Sequence, residues 1–437
     1  MSHVFSRAVG RHLPVALRGE GCWITDADGT RYLDGGGGAL VTNIGHGDRD
    51  VVRAMADQAA KVAYVHATQL TTEALEEYAE ELAPLLPMDE AHVYPVSGGS
   101  EAVETAFKMA RAFHLARGEP SRYRIIARWG SYHGNTRGAL DASGREPLRA
   151  PYAPWLGHAL HVPAVYEYRC PWPRHPDACG ERHAEALERA ILEAGPRTVA
   201  AFIAEPVAGA TLGAALPPDD YWAAVTDVCR RHGVLLIADE VMTGFGRTGS
   251  WFGCEHWDVK PDILVGGKGC SGGYWPLGLA VASRAVHEAL REGGFVHGFT
   301  YSHHPVGAAV GRGVLRRLRE DDLVDRARTQ GELLLKELTS ALSDDPIVGD
   351  VRGIGLMIAI ELVRDRERKE PFPRVERIVE RVLEAARSGG LLLYSSTGCA
   401  DGTNGDLVMV GPPFTISDEE RAELVERTAG AIASARP

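Results

Sequence analysis

Two ionisable residues follow strand-like apolar runs in the middle of the chain. Residues 234–238 lead into Asp239, and residues 262–265 lead through two glycines into Lys268. In an open parallel sheet, ligands bind just beyond the carboxyl ends of the strands, so both side chains are expected at one site. A lysine amine forms a Schiff base with an aldehyde, and a carboxylate can keep a pyridine nitrogen protonated. The pair therefore predicts the chemistry of pyridoxal 5'-phosphate (PLP).

The scarcity of lysine supports a specific role for Lys268. Of the 47 basic residues only six are lysine, and arginine occupies the other positions. Arginine cannot replace lysine in Schiff-base chemistry, because its guanidinium stays protonated. A single lysine at a strand end is more often structural. The glycines on both sides of Lys268 leave room for a bulky adduct, which favours the functional interpretation.

A second pattern is typical of an anion site. Ser97, Gly98, Gly99 and Ser100 precede an amphipathic helical segment, and a helix N-terminus offers free N–H groups and a positive dipole end to a phosphate. Simple N-capping by Ser100 is the alternative. Tyr132 and His133 follow the next strand-like run, so an aromatic ring is available for stacking, although such a tyrosine more often belongs to the core.

The order of elements predicts an α/β fold. Helical periods at 50–60, 72–83, 100–117, 181–194 and 219–232 alternate with apolar strand-like runs at 124–127, 199–204, 234–238 and 262–265. Strands that are apolar on both faces and separated by helices indicate a mostly parallel sheet covered on both sides. Residues 22–33 predict a hairpin, and the glycines at 35–38 predict either a flexible loop or a close approach of a ligand or another chain. Residues 306–344 predict a helix-rich stretch, and residues 350–361 predict a strand.

Length and charge limit the possible classes of protein. A chain of 437 residues exceeds one hydrophobic core, so two domains are expected. The net charge of −12 argues against nucleic-acid and anionic-membrane partners, and no apolar run reaches the ~20 residues of a membrane span. The N-terminal residues lack the apolar core of a signal peptide. These features predict a cytoplasmic protein.

The remaining motifs are not expected to be functional. Seven scattered cysteines do not indicate a disulfide framework, and the Pro-rich stretch between Cys170 and Cys179 is interpreted as an ordinary loop, with no metal expected. The G-x-G-x-x-G match at 244–249 has no helix after it, so a dinucleotide site is not predicted. The G-x-S-x-G match at 269–273 is followed by further glycine and proline, so Ser271 is not expected to be a nucleophile. His303 and His304 are interpreted as a loop pair.

Several stretches of the chain, in order, resemble the class III aminotransferases of PLP fold type I. They are SGGSEAVETAFKMAR (97–111), SYHGNT (131–136), AFIAEPVAG (201–209), LLIADEVMTGFGRTG (235–249), DILVGGKG (262–269), GFTYSHHP (298–305), VRGIGLMIAIEL (351–362) and GPPFTIS (411–417). The resemblance implies a large domain around a mostly parallel seven-stranded sheet and a smaller α+β domain from both termini. The corresponding boundaries are 1–60 and 321–437 for the small domain and 61–320 for the large one.

The resemblance also assigns roles residue by residue. Lys268 is similar to the lysine that binds PLP and Asp239 to the partner of the ring nitrogen. The other residues expected at the cofactor are Gly99 and Ser100 at the phosphate, Tyr132 and Val241 on the two ring faces, His133, Glu205, and Thr300 reaching the phosphate of a neighbouring subunit. The family implies a homodimer, or a larger even oligomer, with active sites at the interface.

Departures from the family pattern concern the substrate. Family members that act on 4-aminobutyrate or ornithine carry an arginine that binds the substrate carboxylate, and this chain has Asn135 at that position. The arginines that other members carry in the segment corresponding to 401–410 are absent here as well. Loss of a bidentate arginine removes specificity as well as charge. We therefore expect amine, carbonyl or differently held amino-acid substrates, with Leu40, Asn135 and Glu205 near them and Arg137 or Arg145 as a substitute clamp.

Three functions remain open at this point. An aminotransferase moves the amino group in two half-reactions from an amine or amino acid to an aldehyde or keto acceptor. A racemase or epimerase would use the same Lys268 and Asp239 but return the proton to the substrate. A PLP-fold binding module without activity is the third possibility, which the intact lysine, aspartate and phosphate site argue against.

Overall fold

The structure is a computed structural model that describes residues 3–7, 10, 12–172 and 179–437. The strands in these residues are β1 (Ala16–Glu20), β2 (Trp23–Asp26), β3 (Arg31–Asp34), β4 (His92–Val96), β5 (Arg124–Arg128), β6 (Leu160–Val162), β7 (Val199–Ala204), β8 (Leu235–Asp239), β9 (Ile263–Gly266), β10 (Gly278–Ala282), β11 (Val348–Ile354), β12 (Met357–Asp365), β13 (Glu370–Pro371), β14 (Leu391–Leu392), β15 (Tyr394–Thr397) and β16 (Asp406–Val410). The α-helices are α1 (Gly37–Leu40), α2 (Arg49–Lys61), α3 (Glu73–Leu82), α4 (Gly99–Ala116), α5 (Arg137–Ala142), α6 (Glu146–Arg149), α7 (Cys179–Ala194), α8 (Tyr221–His232), α9 (Arg284–Gly293), α10 (Pro305–Glu320), α11 (Leu323–Ala341), α12 (Ile378–Ser388) and α13 (Asp418–Ser434). Most of the loop predicted between Cys170 and Cys179 lies outside the described residues.

A seven-stranded sheet forms the centre of the fold, in the order β4-β10-β9-β8-β7-β5-β6. Only β10 runs antiparallel to its neighbours, and the pairs from β9 to β6 are parallel. The mostly parallel sheet expected from the sequence is therefore confirmed. Because β7, β8 and β9 are parallel neighbours, the residues that follow them meet at one edge of the sheet.

Helices cover both faces of this sheet, as the apolar strands require. In β7, Ala201 and Ile203 pack into a core with residues of α4 and α9, whereas Phe202 packs into the opposite core with residues of α7 and α8. Successive strand residues point to opposite faces, so an uninterrupted apolar run is buried on both sides. None of the described helices combines the length and apolarity that a membrane span needs.

Two predictions about local structure need correction. The strand predicted at 350–361 is a hairpin of β11 and β12, paired antiparallel around a turn at Gly355. Gly355 has a φ of +54°, which most side chains disfavour, and an apolar run alone does not reveal such a turn. The glycines at 35–38 end in the short helix α1, not in a flexible loop, and a Cβ on Gly36 would lie 2.8 Å from the Tyr394 nitrogen. The close approach is thus made by the chain's own C-terminal segment.

The two ends of the chain share smaller sheets outside the central one. The predicted hairpin is confirmed as β2 and β3, and β14 from the C-terminal part pairs parallel to β3. Strands β11, β12, β15 and β16 form a further antiparallel sheet. The exact domain boundaries stay a prediction.

Arg247 fixes the loop after β8 against these smaller sheets. It belongs to the G-x-G-x-x-G match, yet its guanidinium is buried and donates to the carbonyls of Leu356 (3.0 Å), Pro412 (2.8 Å) and Thr42 (3.0 Å). The guanidinium also lies 4.6 Å from the centre of the Phe414 ring. Burial lowers the pKa of Arg247 to about 9, partly opposed by the charge of Asp34. The motif is a structural clamp here and not a nucleotide loop.

Replacing Arg247 by methionine should destabilise the protein by about 2–4 kcal/mol, because three buried carbonyls would lose their donor. The matched control is Arg230→Met, which breaks only an exposed pair with Asp227 and should cost less than about 1 kcal/mol. Urea unfolding midpoints of the two variants provide the comparison. Equal midpoints would contradict the clamp.

Candidate active site

A cavity of about 430 Å³ lies where β7, β8 and β9 end. Most of the cofactor residues predicted from the sequence line this one cavity: Gly99, Ser100, Tyr132, His133, Glu205, Asp239, Val241 and Lys268. They lie between residues 99 and 268, at strand ends, in loops and at the start of a helix, and the parallel strands bring them together. The arrangement fits the rule that ligands bind beyond the carboxyl ends of the strands.

Lys268 stands in the cavity wall, two residues after β9. Its backbone has a φ of +44°, a region that non-glycine residues rarely adopt and that costs about 1–3 kcal/mol. Among the described residues, its Nζ makes no hydrogen bond and no ion pair. Burial lowers the pKa of Lys268 to about 8, although the charges of Asp239 and Glu205 oppose this shift. The amine is therefore held available as a nucleophile near neutral pH.

Competitive labelling of the ligand-free protein with acetic anhydride should report this pKa. A lysine reacts only as the neutral amine, so acetylation of Lys268 should rise with pH and reach half of its maximum near pH 8. Exposed Lys336 on α11 serves as the internal reference for the labelling. Peptide mass spectrometry gives both curves from one experiment. A Lys268 curve that coincides with the reference would contradict the lowered pKa.

Asp239 is the last residue of β8, and its carboxylate is held on both oxygens. Its Oδ2 lies 2.6 Å from His133 Nδ1, and its Oδ1 accepts the N–H of Val241 at 3.1 Å. His133 is fixed in turn, because its backbone N–H donates to Ser143 Oγ at 2.8 Å. Asp239 is only 3% exposed. A buried carboxylate in a fixed orientation can bind a protonated ring nitrogen or a cation.

Glu205 follows β7 and lies in the same wall. Its carboxylate accepts backbone N–H groups of Tyr132 (3.4 Å) and Gly209 (3.2 Å). Burial raises the pKa of Glu205, and the neighbouring Asp239 adds to this effect while His133 and Arg128 oppose it. Arg128 donates to the backbone carbonyl of Glu205 at 2.7 Å and not to the carboxylate. The two carboxylates give this end of the cavity a negative character.

The N-terminus of α4 forms another part of the cavity wall. Gly98 caps the helix without a side-chain hydrogen bond, so the first-turn N–H groups face the cavity without a capping side chain. A Cβ on Gly99 would lie 3.0 Å from Val241 Cγ1, and one on Gly134 would lie 2.5 Å from Ser100 Oγ. Only small residues fit at both positions. This part of the wall can hold an anion such as a phosphate.

Three predicted residues lie outside the lining of the cavity. Thr300 is exposed and its carbonyl accepts the hydroxyl of Tyr64 at 2.9 Å. Asn135 is also exposed, and its backbone N–H donates to Ser100 Oγ at 3.0 Å. Leu40 is buried beneath the site in a cluster with Met242. The residue after it, Val41, lines the cavity instead.

Sequence reasoning missed most of the apolar wall. It is formed by Val41, Val207, Ala210, Met242, Trp275 and Leu277. These residues come from loops far apart in the chain, and their types are those of ordinary core residues, so no local signal distinguishes them. Within the described residues, no group of three or more His, Cys, Asp or Glu side chains is arranged to hold a metal ion.

The α/β fold and this cavity are typical of enzymes that act through a buried lysine at the end of a strand. Comparison with known proteins identifies the family. A sequence model of the class-III aminotransferases matches residues 4–432. An uncharacterized aminotransferase of Bacillus subtilis, YodT, is 38% identical over 97% of this chain and 96% of its own length. The chain belongs to the class III aminotransferase family and is an aminotransferase.

Solved structures give the same result. A thermostable (S)-enantioselective ω-transaminase from Thermomicrobium roseum superposes with a TM-score of 0.92 and 39% identity, over 98% of this chain and 94% of that one. An amine transaminase from an uncultivated Pseudomonas species, solved in its PLP-bound form, has a TM-score of 0.91 and 36% identity over 99% and 98% of the two chains. Class III aminotransferases depend on PLP and act on small amines and carbonyl compounds. The comparisons give no support to the racemase or epimerase alternative.

Proposed function

We propose that this chain binds PLP through Lys268 and transfers the amino group of a primary amine to an oxo-acid or aldehyde acceptor. The observation that carries the proposal is the unpaired Nζ of Lys268 beside the fixed carboxylate of Asp239, at the ends of two neighbouring strands. When bound, PLP withdraws electrons from the amino-bearing carbon of the substrate, which makes its proton removable.

The cavity fits both ends of this cofactor. The phosphate would bind at the N-terminus of α4, where Gly99, Ser100 and Gly134 leave the required space. At the other end Asp239 would bind the protonated ring nitrogen. His133 Nε2 is buried without a partner among the described residues, so the imidazole keeps a donor or acceptor for a further group. Tyr132 and Val241 would flank the ring, and Thr300 would serve a neighbouring subunit.

Each side chain then has a defined task. Lys268 Nζ would hold the cofactor, and its amine would move the proton from the amino-bearing carbon of the substrate. Asp239 would keep the ring nitrogen of the cofactor protonated, and its pairing with His133 keeps the carboxylate oriented. Glu205, with its raised pKa, lies close enough to influence the charge of the amine. The apolar wall excludes water from these steps.

The lining of the cavity favours amine donors over amino acids. Val41, Met242, Trp275 and Leu277 offer apolar surface, and Asn135 provides no positive charge for a carboxylate. Of the two solved relatives above, one is described as an amine transaminase and the other as an (S)-enantioselective ω-transaminase. We therefore expect primary amines with apolar substituents as donors, with Leu40 supporting the wall from beneath. We expect no turnover of 4-aminobutyrate, ornithine or acetylornithine.

An absorbance titration of the purified protein tests this proposal. Primary amines should convert the band of lysine-bound PLP to the band of the aminated cofactor, and an oxo acid should restore it. A panel of amines and amino acids, added one at a time, identifies the donor class. Robust conversion by ornithine or 4-aminobutyrate would contradict the proposed donor class. Absence of the band of lysine-bound PLP after addition of PLP would contradict the proposal as a whole.

We also propose a homodimer or larger even oligomer located in the cytoplasm. Tyr64, Val296 and Tyr301 are 40%, 100% and 63% exposed in or against the segment that carries Thr300, and exposed apolar side chains in one region mark interaction surfaces. Cys22, Cys229, Cys254, Cys270 and Cys399 are buried thiols outside any disulfide, as expected in a reducing compartment. Light scattering after size-exclusion chromatography gives the oligomeric state directly.

A further inference from the structure

Two cysteine sulfurs meet at the N-terminus of α7. The Sγ atoms of Cys170 and Cys179 lie 3.4 Å apart, which leaves about 1.4 Å to close before they reach the ~2.05 Å of a disulfide bond. Both side chains are partly accessible to solvent. The other five cysteines, at 22, 229, 254, 270 and 399, are at most 5% exposed. Cys170 and Cys179 are therefore the thiols within reach of a dissolved reagent.

The backbone around Cys170 is held in place. Its N–H donates to the carbonyl of Glu167 at 3.2 Å. The preceding residue, Arg169, binds the buried carboxylate of Glu361 on β12 at 2.7 Å. The N–H of Trp172 donates to Cys170 Sγ at 3.4 Å, which orients the sulfur. Cys170 is thus anchored to the sheet that contains β12.

Cys179 is anchored separately, as the first residue of α7. The next two N–H groups, of Gly180 and Glu181, donate to the carboxylate of Asp220 at 3.1 and 3.0 Å. A Cβ on Gly180 would lie 2.4 Å from the nitrogen of Tyr221, so the start of α7 is packed closely against the start of α8. Because the fold already orders both segments, joining the two sulfurs requires little further loss of conformational entropy.

We propose that Cys170 and Cys179 are a modification site, at which a small-molecule disulfide oxidises the two thiols to a reversible intramolecular disulfide. The bond closes the ring that runs from residue 170 to residue 179 and links the end anchored at β12 to α7. Disulfides in a reducing compartment are transient and often sense redox conditions. The pair therefore rests as two thiols and closes when the small-molecule disulfide accumulates. The site is independent of the amino transfer proposed above.

The exchange takes place in two balanced steps. The Cys170 thiolate attacks one sulfur of the small disulfide, whose S–S bond breaks, and one small thiol leaves. Cys179 then attacks Cys170 Sγ in the mixed disulfide, and the second small thiol leaves. The two cysteines lose two electrons and two protons, which the small disulfide gains. Burial and the neighbouring Cys170 raise the pKa of the Cys179 thiol to about 12, which assigns the first attack to Cys170.

Peptide mapping of the purified full-length protein tests this site. The protein is incubated with oxidised glutathione, the remaining thiols are blocked with N-ethylmaleimide in denaturant, and trypsin is added without a reductant. Trypsin cleaves after Arg169, Arg174 and Arg182, so the two cysteines fall on separate peptides, 170–174 and 175–182. We expect these two peptides to be joined by a disulfide and to separate after reduction. The peptides of the five buried cysteines should carry N-ethylmaleimide.

The matched variants are Cys170→Ser and Cys179→Ser. Cys179→Ser should trap the mixed disulfide, with glutathione on Cys170, whereas Cys170→Ser should leave Cys179 largely unmodified. Oxidation should raise the melting temperature of the wild type by about 2–5 °C, the scale expected when a loop of about ten residues is closed in a chain of this length. The melting temperature of both variants should not respond to the oxidant.

Two separately alkylated peptides from folded, oxidant-treated wild type would overturn the proposal. Glutathione that remains on Cys170 of the wild type without the cross-link would overturn the intramolecular bond. Stoichiometric zinc that protects both thiols from N-ethylmaleimide in the purified protein would also overturn it, in favour of a metal site.

Discussion

Replacing Lys268 by alanine should lower kcat by at least about 10²–10⁴-fold, the range associated with a positioned proton-transfer group. The variant loses both the covalent link to the cofactor and the amine that moves the substrate proton. Lys268→Arg should fail as well, because the guanidinium stays protonated at any pH at which the protein is folded. Single-turnover rates with a saturating amine give the measurement.

Lys260→Ala is the matched control for this experiment. Lys260 lies eight residues earlier, is exposed, and pairs only with Asp89 at 3.2 Å. Its loss should leave the rate and the absorbance band unchanged. A Lys268→Ala protein with a wild-type rate and an intact band would show that another residue carries the chemistry.

Replacing Asp239 by asparagine should retain the cofactor but lower kcat by about 10²–10³-fold, as for removal of one preorganised electrostatic contact. An amide cannot hold the proton on the ring nitrogen, so the cofactor withdraws electrons poorly. The size of the side chain is preserved. The backbone donor from Val241, which now binds Oδ1 at 3.1 Å, can still be satisfied by the amide oxygen.

The neighbouring Glu240 provides the control for Asp239. It is equally buried, but its carboxylate accepts the backbone N–H groups of Gly253 and Cys254, both at 2.8 Å, and does not face the cavity. Glu240→Gln should lower the melting temperature and leave kcat nearly unchanged. If Asp239→Asn kept a rate within a fewfold of the wild type, its role at the ring nitrogen would be wrong.

The central sheet could be predicted because its strands are short, apolar on both faces and separated by helical periods. This pattern alone determines which edge of the sheet carries the carboxyl ends of the strands, and it therefore predicts that Asp239 and Lys268 lie side by side there. The hairpin around Gly355 could not be predicted in the same way. Its two strands read as one apolar run, and only the positive φ at Gly355 reveals the turn.

The apolar wall and the clamp at Arg247 depend on contacts between distant segments. Val41 and Trp275 meet in the cavity across more than half of the chain, and neither side chain carries a chemical signature. Arg247 lies within a glycine motif for which the sequence predicted no structural role. Its guanidinium nevertheless donates to three backbone carbonyls from separate loops. The predicted positions of Leu40 and Asn135 differ from the structure for the same reason. The adjacent residue Val41 lines the cavity in place of Leu40, and Asn135 lies in an exposed loop outside the lining.

Peptide mapping after borohydride reduction of the PLP-loaded protein tests the central claim most directly. Reduction fixes the cofactor to the amine that holds it, and digestion followed by mass spectrometry identifies the modified residue. We predict one phosphopyridoxyl group, on the peptide that contains Lys268, and its loss when an amine donor is added before reduction. A modified lysine elsewhere, or a Lys268 peptide that stays unmodified, would contradict the assignment of this site.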